Sequence, residues 1–478
     1  MTNLGYTPEE PIAAIATALA PAALGIVRVS GKNCVELVSK VFSRPEKLLS
    51  AKGNTITYGW IVSGGEKIDE VLVSVFRAPR SFTGEEMCEI SCHGGVNVVQ
   101  TVYNLLLKNG FRPAERGEFT FRAYINGKTD LTRAEAIREI IDSKTNAGRS
   151  RAAGRLAGNL YETIDKIKKL VVDTLAAIEV GIEYPEDEET IADSFDPTDL
   201  KKASAELSEL ASSWKSEKIY QDGARVVLAG RTNAGKSSLF NALLKEDRAI
   251  VSDIEGTTRD FIESWIDFGG IPARLFDTAG LRETEDKIEA VGVERSKDLS
   301  HEADLILYLV DASSGTENAL NEEDKDFISS AVKNGKPLIL VYNKVDKISE
   351  KSQPTRTLAK SSSSPQVFEE NLSAAGCCVI SAKTGLGLGG LSSAVKNALM
   401  KSGESDRSQT GLGSERQKNA VVQALECVNH ALSLTKDYAL DAVVQDLEDC
   451  LDFLGEVTGE VTPDDVLGSI FSRFCVGK

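Results

Sequence analysis

The stretch Val226-Val-Leu-Ala-Gly230-Arg-Thr-Asn233-Ala234-Gly235-Lys236-Ser237-Ser238 constrains this chain more than any other. A short apolar run stops at a glycine, a tight turn follows, and Lys-Ser opens a helical pattern through Leu239, Phe240, Leu243 and Leu244. Every fixed position of G-x-x-x-x-G-K-[ST] is filled. Two glycines let the backbone curl so that several N–H groups face one phosphate chain. Lys236 reaches the terminal phosphates, and Ser237 offers its hydroxyl to Mg²⁺.

Further motifs follow in order, each beside an apolar run. Asp277-Thr278-Ala279-Gly280 places a carboxylate at a strand end, where it can hold Mg²⁺ through water, and a glycine N–H where a γ-phosphate would lie. Gly256-Thr257-Thr258 sits between these two motifs, and Thr258 can reach Mg²⁺ as a switch loop does. Leu338 to Tyr342 reads as a buried strand ending in Asn343-Lys344-Val-Asp346. The Asp346 carboxylate can accept from guanine N1 and its exocyclic amine, a pattern adenine lacks. Ser381-Ala382-Lys383 can close over the base. The ordered set points to a GTPase. Where a Ras-like enzyme carries a water-orienting Gln, this chain has Leu281, so another group must position the water. The segment Arg282 to Glu289 is dense in carboxylates and can supply it.

At 478 residues the chain has room for about three domains. Hydrophobic content of 41% and charged content of 27% suit a soluble globular protein. No long apolar run suggests a membrane span, and the start reads as neither signal nor transit peptide. The expected location is the cytoplasm. Eight cysteines without metal spacing are expected to be reduced thiols, with Cys377 and Cys378 structural, and His93 is also expected to be structural. A net charge of −17 argues against a general nucleic-acid binder, so any RNA contact needs a local patch. Arg149, Arg151 and Arg155 form one candidate; a solvated helix face is the other reading.

Residues up to about 120 read as α+β, with strands near 25–31, 55–62 and 71–76 and a helix from Val96 to Leu107. One helix is marked by Leu131, Ala134, Ile137, Ile140 and Ile141, and a longer one by Leu156, Leu160, Ile164, Ile167, Val171, Leu175 and Ile178. A Ser-rich linker is expected over 355–365 and a second over 401–413. Helical periodicity then returns at Val421, Leu425, Val428 and Leu432, and at Ala439, Val443, Leu447, Leu451 and Leu454. Each amphipathic stretch must bury its stripe, so the simplest architecture joins both into one bundle with the nucleotide-binding unit inserted. The expected fold class is multidomain α/β plus α+β, a P-loop GTPase domain inserted into a helical bundle. Expected domains are 1–125, a discontinuous helical domain over 126–220 and 401–478, and a Ras-like domain over 221–400. The terminal run Phe474-Cys475-Val476-Gly477-Lys478 is too apolar to dangle freely and is expected to dock.

The assembled motifs resemble one family, the MnmE (TrmE) tRNA-modification GTPases. The markers are Gly25-Ile-Val-Arg28-Val-Ser-Gly31, Ser81-Phe-Thr-Gly-Glu85, His93-Gly-Gly95, Arg116-Gly-Glu-Phe119, Leu131-Thr-Arg-Ala-Glu-Ala136, the GTPase motifs and the Phe-Cys-Val-Gly-Lys terminus. The resemblance implies an N-terminal α+β domain that forms a homodimer and binds 5-formyl-tetrahydrofolate or a related one-carbon folate. By match, the folate contacts are Arg28, Glu89, Lys128 and Lys478, with Cys475 nearby and a possible participant in tRNA modification. It implies an FAD-dependent partner of the MnmG (GidA) type. Together they would install an aminomethyl or carboxymethylaminomethyl-type group on the wobble uridine, position 34, of tRNA. It also implies K⁺ in place of an arginine finger, bound by Asn233 with oxygens of Ser252, Ile254 and Thr257, and a water-orienting Glu289. The GTP-contacting set is then Asn233 to Ser238, Ser252, Asp253, Ile254, Glu255, Gly256, Thr257, Thr258, Asp277 to Gly280, Asn343, Lys344, Asp346 and Ser381 to Lys383, with Mg²⁺ on Ser237 and Thr258. The competing reading is a GTP-switched ribosome-assembly factor of the Era type, which would carry a basic RNA-binding module.

Overall fold

The computed structural model describes residues 10–183, 196–245, 263–277, 303–313, 319–348, 376–400, 410–434 and 440–478. The chain forms two compact units. The first comprises residues 1–138, 154–211 and 413–478; the second comprises 139–153 and 212–412. The first unit therefore resumes after the second, as the simplest reading of the two helical stretches expects.

The first unit opens with β1 (Ile12–Ile15), β2 (Leu24–Ser30), β3 (Thr55–Ser63), β4 (Glu66–Phe76), β5 (Met87–His93) and β6 (Arg112–Pro113). They form one sheet in the order β3-β4-β5-β2-β1-β6. All neighbours are antiparallel except β1 and β6. Alternation makes the core: Val71, Val73 and Val75 of β4 are buried, whereas Leu72 between them is exposed. Against that face lies the helix Val96–Lys108 through Val99, Val102 and Leu106. The short strands β1 and β6 carry too few residues for a period to show, and only pairing reveals them.

Helical periodicity then takes over. Leu160, Ile164, Ile167, Val171 and Ile178 of the helix Asn159–Glu183 are buried. That helix starts later than its stripe suggests. Gly158, at φ +110°, ends the preceding helix Asn146–Ala157, and Leu156 belongs to that earlier element and is exposed. The helices Glu415–Leu434 and Leu440–Thr458 pack on each other, and the latter also packs on Asn159–Glu183. In Glu415–Leu434 the buried line runs Val421, Ala424, Val428, Ala431; Leu425 and Leu432 flank it. The small alanines allow close approach, which a search for large apolar residues overlooks. Glu135 accepts from Arg416 Nη2 at 2.8 Å and from Gln417 Nε2, so a carboxylate before the insertion clamps the chain after it.

The second unit is a sheet of β7 (Ala224–Gly230), β8 (Glu263–Phe268), β9 (Ile271–Asp277), β10 (Leu305–Asp311), β11 (Leu338–Asn343) and β12 (Gly376–Val379), in the order β12-β11-β10-β7-β9-β8. All pairs are parallel except β8 with β9. The central strands are apolar on both faces, as a sheet covered by helices requires; Leu305 to Val310 are all buried. The helices Lys236–Leu243 and Leu388–Leu399 pack on one face and Glu322–Lys333 on the other.

The arginine cluster is neither a free patch nor a solvated face. Arg155 is 2% exposed, and Arg151 stacks on Tyr220 at 3.9 Å and pairs with Glu217. Only Arg149 of the three is exposed.

Candidate functional site

In the second unit, parallel register brings four strand ends to one edge. Leu228 pairs with Asp277, Leu309 with Gly230, and Asp311 with Asn343. In doubly wound sheets this carboxyl edge is where ligands bind. The turn between β7 and the helix Lys236–Leu243 lies there. Its glycines are obligatory. A Cβ on Gly230 (φ +129°) would stand 2.3 Å from the Leu309 carbonyl oxygen, and one on Gly235 (φ +99°) would stand 2.2 Å from Asn343 Nδ2. Asn233 at φ +63° and Lys344 at φ +67° are left-handed without being glycine. Such strain is held where a function needs the geometry. Lys236 donates to the carbonyls of Gly230 at 2.7 Å and Arg231 at 3.0 Å, so its ammonium sits within the loop. Ser237 and Ser238 are exposed beside it.

Asn343 holds the parts together. Its side chain, 1% exposed, donates from Nδ2 to the Ala234 carbonyl at 3.0 Å and accepts at Oδ1 from the Ala382 amide at 3.0 Å. One side chain thus ties the phosphate loop to the loop expected to close over the base. Lys344 adds a second tie, donating to the Asn233 carbonyl and to Asp311 Oδ2 at 2.7 Å. Burial pushes the Asp311 carboxyl up, but the Lys344 ammonium and the Ser313 amide outweigh it and hold it below its ordinary range. Asp346 is exposed, and Ser381 Oγ donates to its Oδ1 at 2.7 Å, which fixes the carboxylate's orientation. Lys383 is exposed nearby in sequence. Asp311 is a site residue that motif reading passes over; its only signal is its place at the end of the apolar run Leu305 to Val310. Ser252 to Thr258, Thr278 to Gly280, Leu281 and Glu289 lie outside the described residues, as does the linker 355–365. Of Asp277 only the backbone position at the end of β9 is described.

A second constellation forms in the first unit. Arg28 of β2 stands opposite Glu89 of β5 in register, and its Nη2 pairs with Glu89 Oε1 at 2.7 Å. Its Nη1 donates to the Gly477 carbonyl at 3.1 Å, across almost the whole sequence. The guanidinium lies over the rings of Phe82, at 5.7 Å, and Phe119, at 5.6 Å. The tail is docked. Phe474 is 3% exposed and packs on Phe471 at 5.5 Å, Val476 pairs with Arg116, and the Gly117 amide donates to the Cys475 carbonyl. The Cys475 side chain is exposed. Lys128 donates to the Pro79 carbonyl at 3.1 Å and abuts Gly84. Among the described residues, no hydrogen bond joins the Lys128 or Lys478 side chain to Arg28 or Glu89. His93 is an exposed partner of Asp69, Nδ1 to Oδ1 at 2.7 Å, and that carboxylate raises its pKa.

The loop carrying Phe82 is held by buried charge. Arg122, 2% exposed, donates to Glu85 at 3.0 Å and to Glu118 at 2.8 Å, and Arg112 donates to Glu118 at 2.6 Å. Burial alone would raise the Glu118 pKa, but Arg112, the Glu115 amide and Arg122 lower it below the ordinary value.

The sequence profile of the MnmE helical domain matches residues 131–475, and that of the GTP-binding protein TrmE N-terminus matches 11–128. The chain belongs to the MnmE family. An MnmE-family relative, the tRNA modification GTPase MnmE of Treponema denticola, is 51% identical over 480 residues, covering 99% of both chains. That of Borrelia turicatae is 40% identical over 482 residues, covering 100% of both. A solved structure of an Aquifex aeolicus Era point variant bound to GDP·AlF4⁻ matches at 28% identity over 43% of this chain and 66% of that one, with a TM-score of 0.27. In this MnmE-family chain the first profile spans both helical stretches and everything between them.

Proposed function

We propose that this MnmE-family GTPase hydrolyses GTP to GDP and phosphate with Mg²⁺ and K⁺ and thereby serves the modification of tRNA. The observation that carries the nucleotide reading is Asn343, which ties the phosphate loop to the base-reading loop. The site residues suit the ligand. The tight turn that Gly230 and Gly235 permit and the Lys236 ammonium suit a phosphate chain, and the oriented Asp346 carboxylate suits the guanine N–H edge. Ser237, with Thr258 and Asp277, would hold Mg²⁺, which neutralises charge that develops on the phosphates. Asn233, with oxygens of Ser252, Ile254 and Thr257, would hold K⁺ and replace an arginine finger. Glu289 would orient water.

The tRNA reading comes from the relatives, which are named tRNA modification GTPases and match end to end. The chain would work as a homodimer with an FAD-dependent partner of the MnmG type. The product would be an aminomethyl or carboxymethylaminomethyl-type group at C5 of wobble uridine 34. The constellation of Arg28, Glu89 and Gly477 suits a one-carbon folate such as 5-formyl-tetrahydrofolate. Glu89 offers a carboxylate to a pterin's N–H edge, and Phe82, 39% exposed, offers a ring face. Lys128 and Lys478 would meet the folate's glutamate carboxylates. Bound folate would supply a one-carbon unit. Three domains, 1–125, 126–220 with 401–478, and 221–400, would divide this labour. No helix among the described residues is long and apolar enough to cross a membrane, and the proposed location is the cytoplasm.

The test is GTP turnover in KCl against NaCl at one ionic strength, for the native chain and Asn233→Ala. Strong K⁺ stimulation that disappears in the variant, with nucleotide affinity retained, supports the reading. Equal rates in both salts would sink the K⁺ assignment and return the partner-activated, assembly-factor alternative.

A further inference from the structure

We propose that the outer edge of the N-terminal sheet binds the sugar–phosphate backbone of RNA; this rests on the tRNA reading above and gives it a place on the surface. β3 is an outer strand. Part of its free edge is already covered. The Ser43 amide donates to the Trp60 carbonyl at 2.9 Å, and the Trp60 amide donates to Ser43 Oγ at 2.9 Å. Trp60 therefore turns both main-chain groups away from β4. The two-residue period of a strand carries that direction back to Tyr58 and Ile56. The Tyr58 carbonyl accepts from Arg44 Nη1 at 3.3 Å. The amides of Tyr58 and Ile56 and the carbonyl of Ile56 face outward, with no partner on that side among the described residues.

Around this short open edge lies a concavity of about 420 Å³. Arg44, Lys47 and Lys52 line it, and no carboxylate does. All three cations are exposed, and among the described residues neither Lys47 nor Lys52 has an ion pair. The Arg44 guanidinium lies over the Tyr58 ring at 5.2 Å, which holds it over the edge. Glu70 accepts from the Tyr58 phenol. A lining of three cations and no carboxylate runs against the chain's overall net charge of −17.

The donors specify the occupant. Cations and amide N–H groups ask for a ligand rich in acceptors, and phosphodiester oxygens are acceptors only. The outward Ile56 carbonyl can accept from a ribose 2′-hydroxyl, which DNA lacks. An added peptide strand suits the edge less well. The open stretch runs only from Ile56 to Tyr58, shorter than the roughly five residues that strands usually have.

The experiment titrates the full-length chain with a tRNA transcript carrying uridine at position 34, at a series of KCl concentrations. It compares the native chain with the Lys47→Ala, Lys52→Ala double variant. Both side chains are exposed, and GTP turnover without tRNA should be unchanged. Two lost phosphate contacts should weaken binding about tenfold at low salt and make the slope of log K against log salt shallower by about two. Identical affinity and slope would overturn the assignment of this edge. A native chain that binds no tRNA would instead overturn the tRNA reading, and this assignment with it. Equally tight, Lys47- and Lys52-dependent binding of a poly-glutamate peptide would make the surface a protein-docking edge and refute the RNA proposal.

Discussion

Replacing Asn343 with alanine removes one buried and one part-buried hydrogen bond at once. The Ala234 carbonyl loses its 3.0 Å donor, and the Ala382 amide loses its 3.0 Å acceptor. Each bond is worth about 1 kcal/mol net, and a buried group left without a partner raises this to about 1–3 kcal/mol. Ala234 is only 2% exposed, so its carbonyl falls at the upper end, whereas Ala382 is half-buried and water can partly replace the bond. The sum is about 2–4 kcal/mol. Part of it appears as lost stability of the nucleotide-free unit. The rest appears on binding, because two loops held together beforehand must then be ordered by the ligand. If half is felt on binding, GTP affinity falls by about five- to thirtyfold, since about 1.4 kcal/mol is tenfold. Fluorescent-nucleotide titration gives the affinity, and calorimetry of the nucleotide-free chain gives the stability. A dissociation constant within about twofold of native, with an unchanged unfolding transition, would refute the claim that this side chain joins the two loops.

Deleting Phe474 to Lys478 should abolish binding of 5-formyl-tetrahydrofolate, measured by equilibrium dialysis, and leave GTP turnover in place, because the tail docks on Arg28 of the N-terminal sheet. Phe474→Ala should lower the stability of the first unit by about 3–5 kcal/mol in denaturant titration, since the ring is buried against Phe471. Stability of the same unit should also fall on acidification. Glu118 has a folded pKa below its ordinary value of 4.5, so its contribution is complete above that pH and is lost as pH falls through the folded value. Glu118→Gln should start less stable and show a flatter acid limb in pH-dependent denaturation; an acid limb of native steepness would show that other groups govern it.

The sequence by itself determined the nucleotide-binding unit. Its motifs are short-range: a strand, a turn and a helix start within about fifteen residues fix the backbone of a phosphate loop, and Gly230 and Gly235 show why no other residue fits. The doubled helical stripes, seen on either side of that unit, also made an insertion the simplest architecture. Only tertiary structure decided the rest, because the deciding contacts join residues far apart. Arg28 meets the Gly477 carbonyl through a tail that nothing local places. Arg151 and Arg155 read as a surface until Glu217 and Tyr220 are brought against one and burial closes over the other. Asn343 is legible as part of a guanine motif, but its two bonds to Ala234 and Ala382 exist only when parallel strands end at a common edge. Periodicity reports which face of an element is apolar. It does not report what that face, or a polar side chain beside it, will touch.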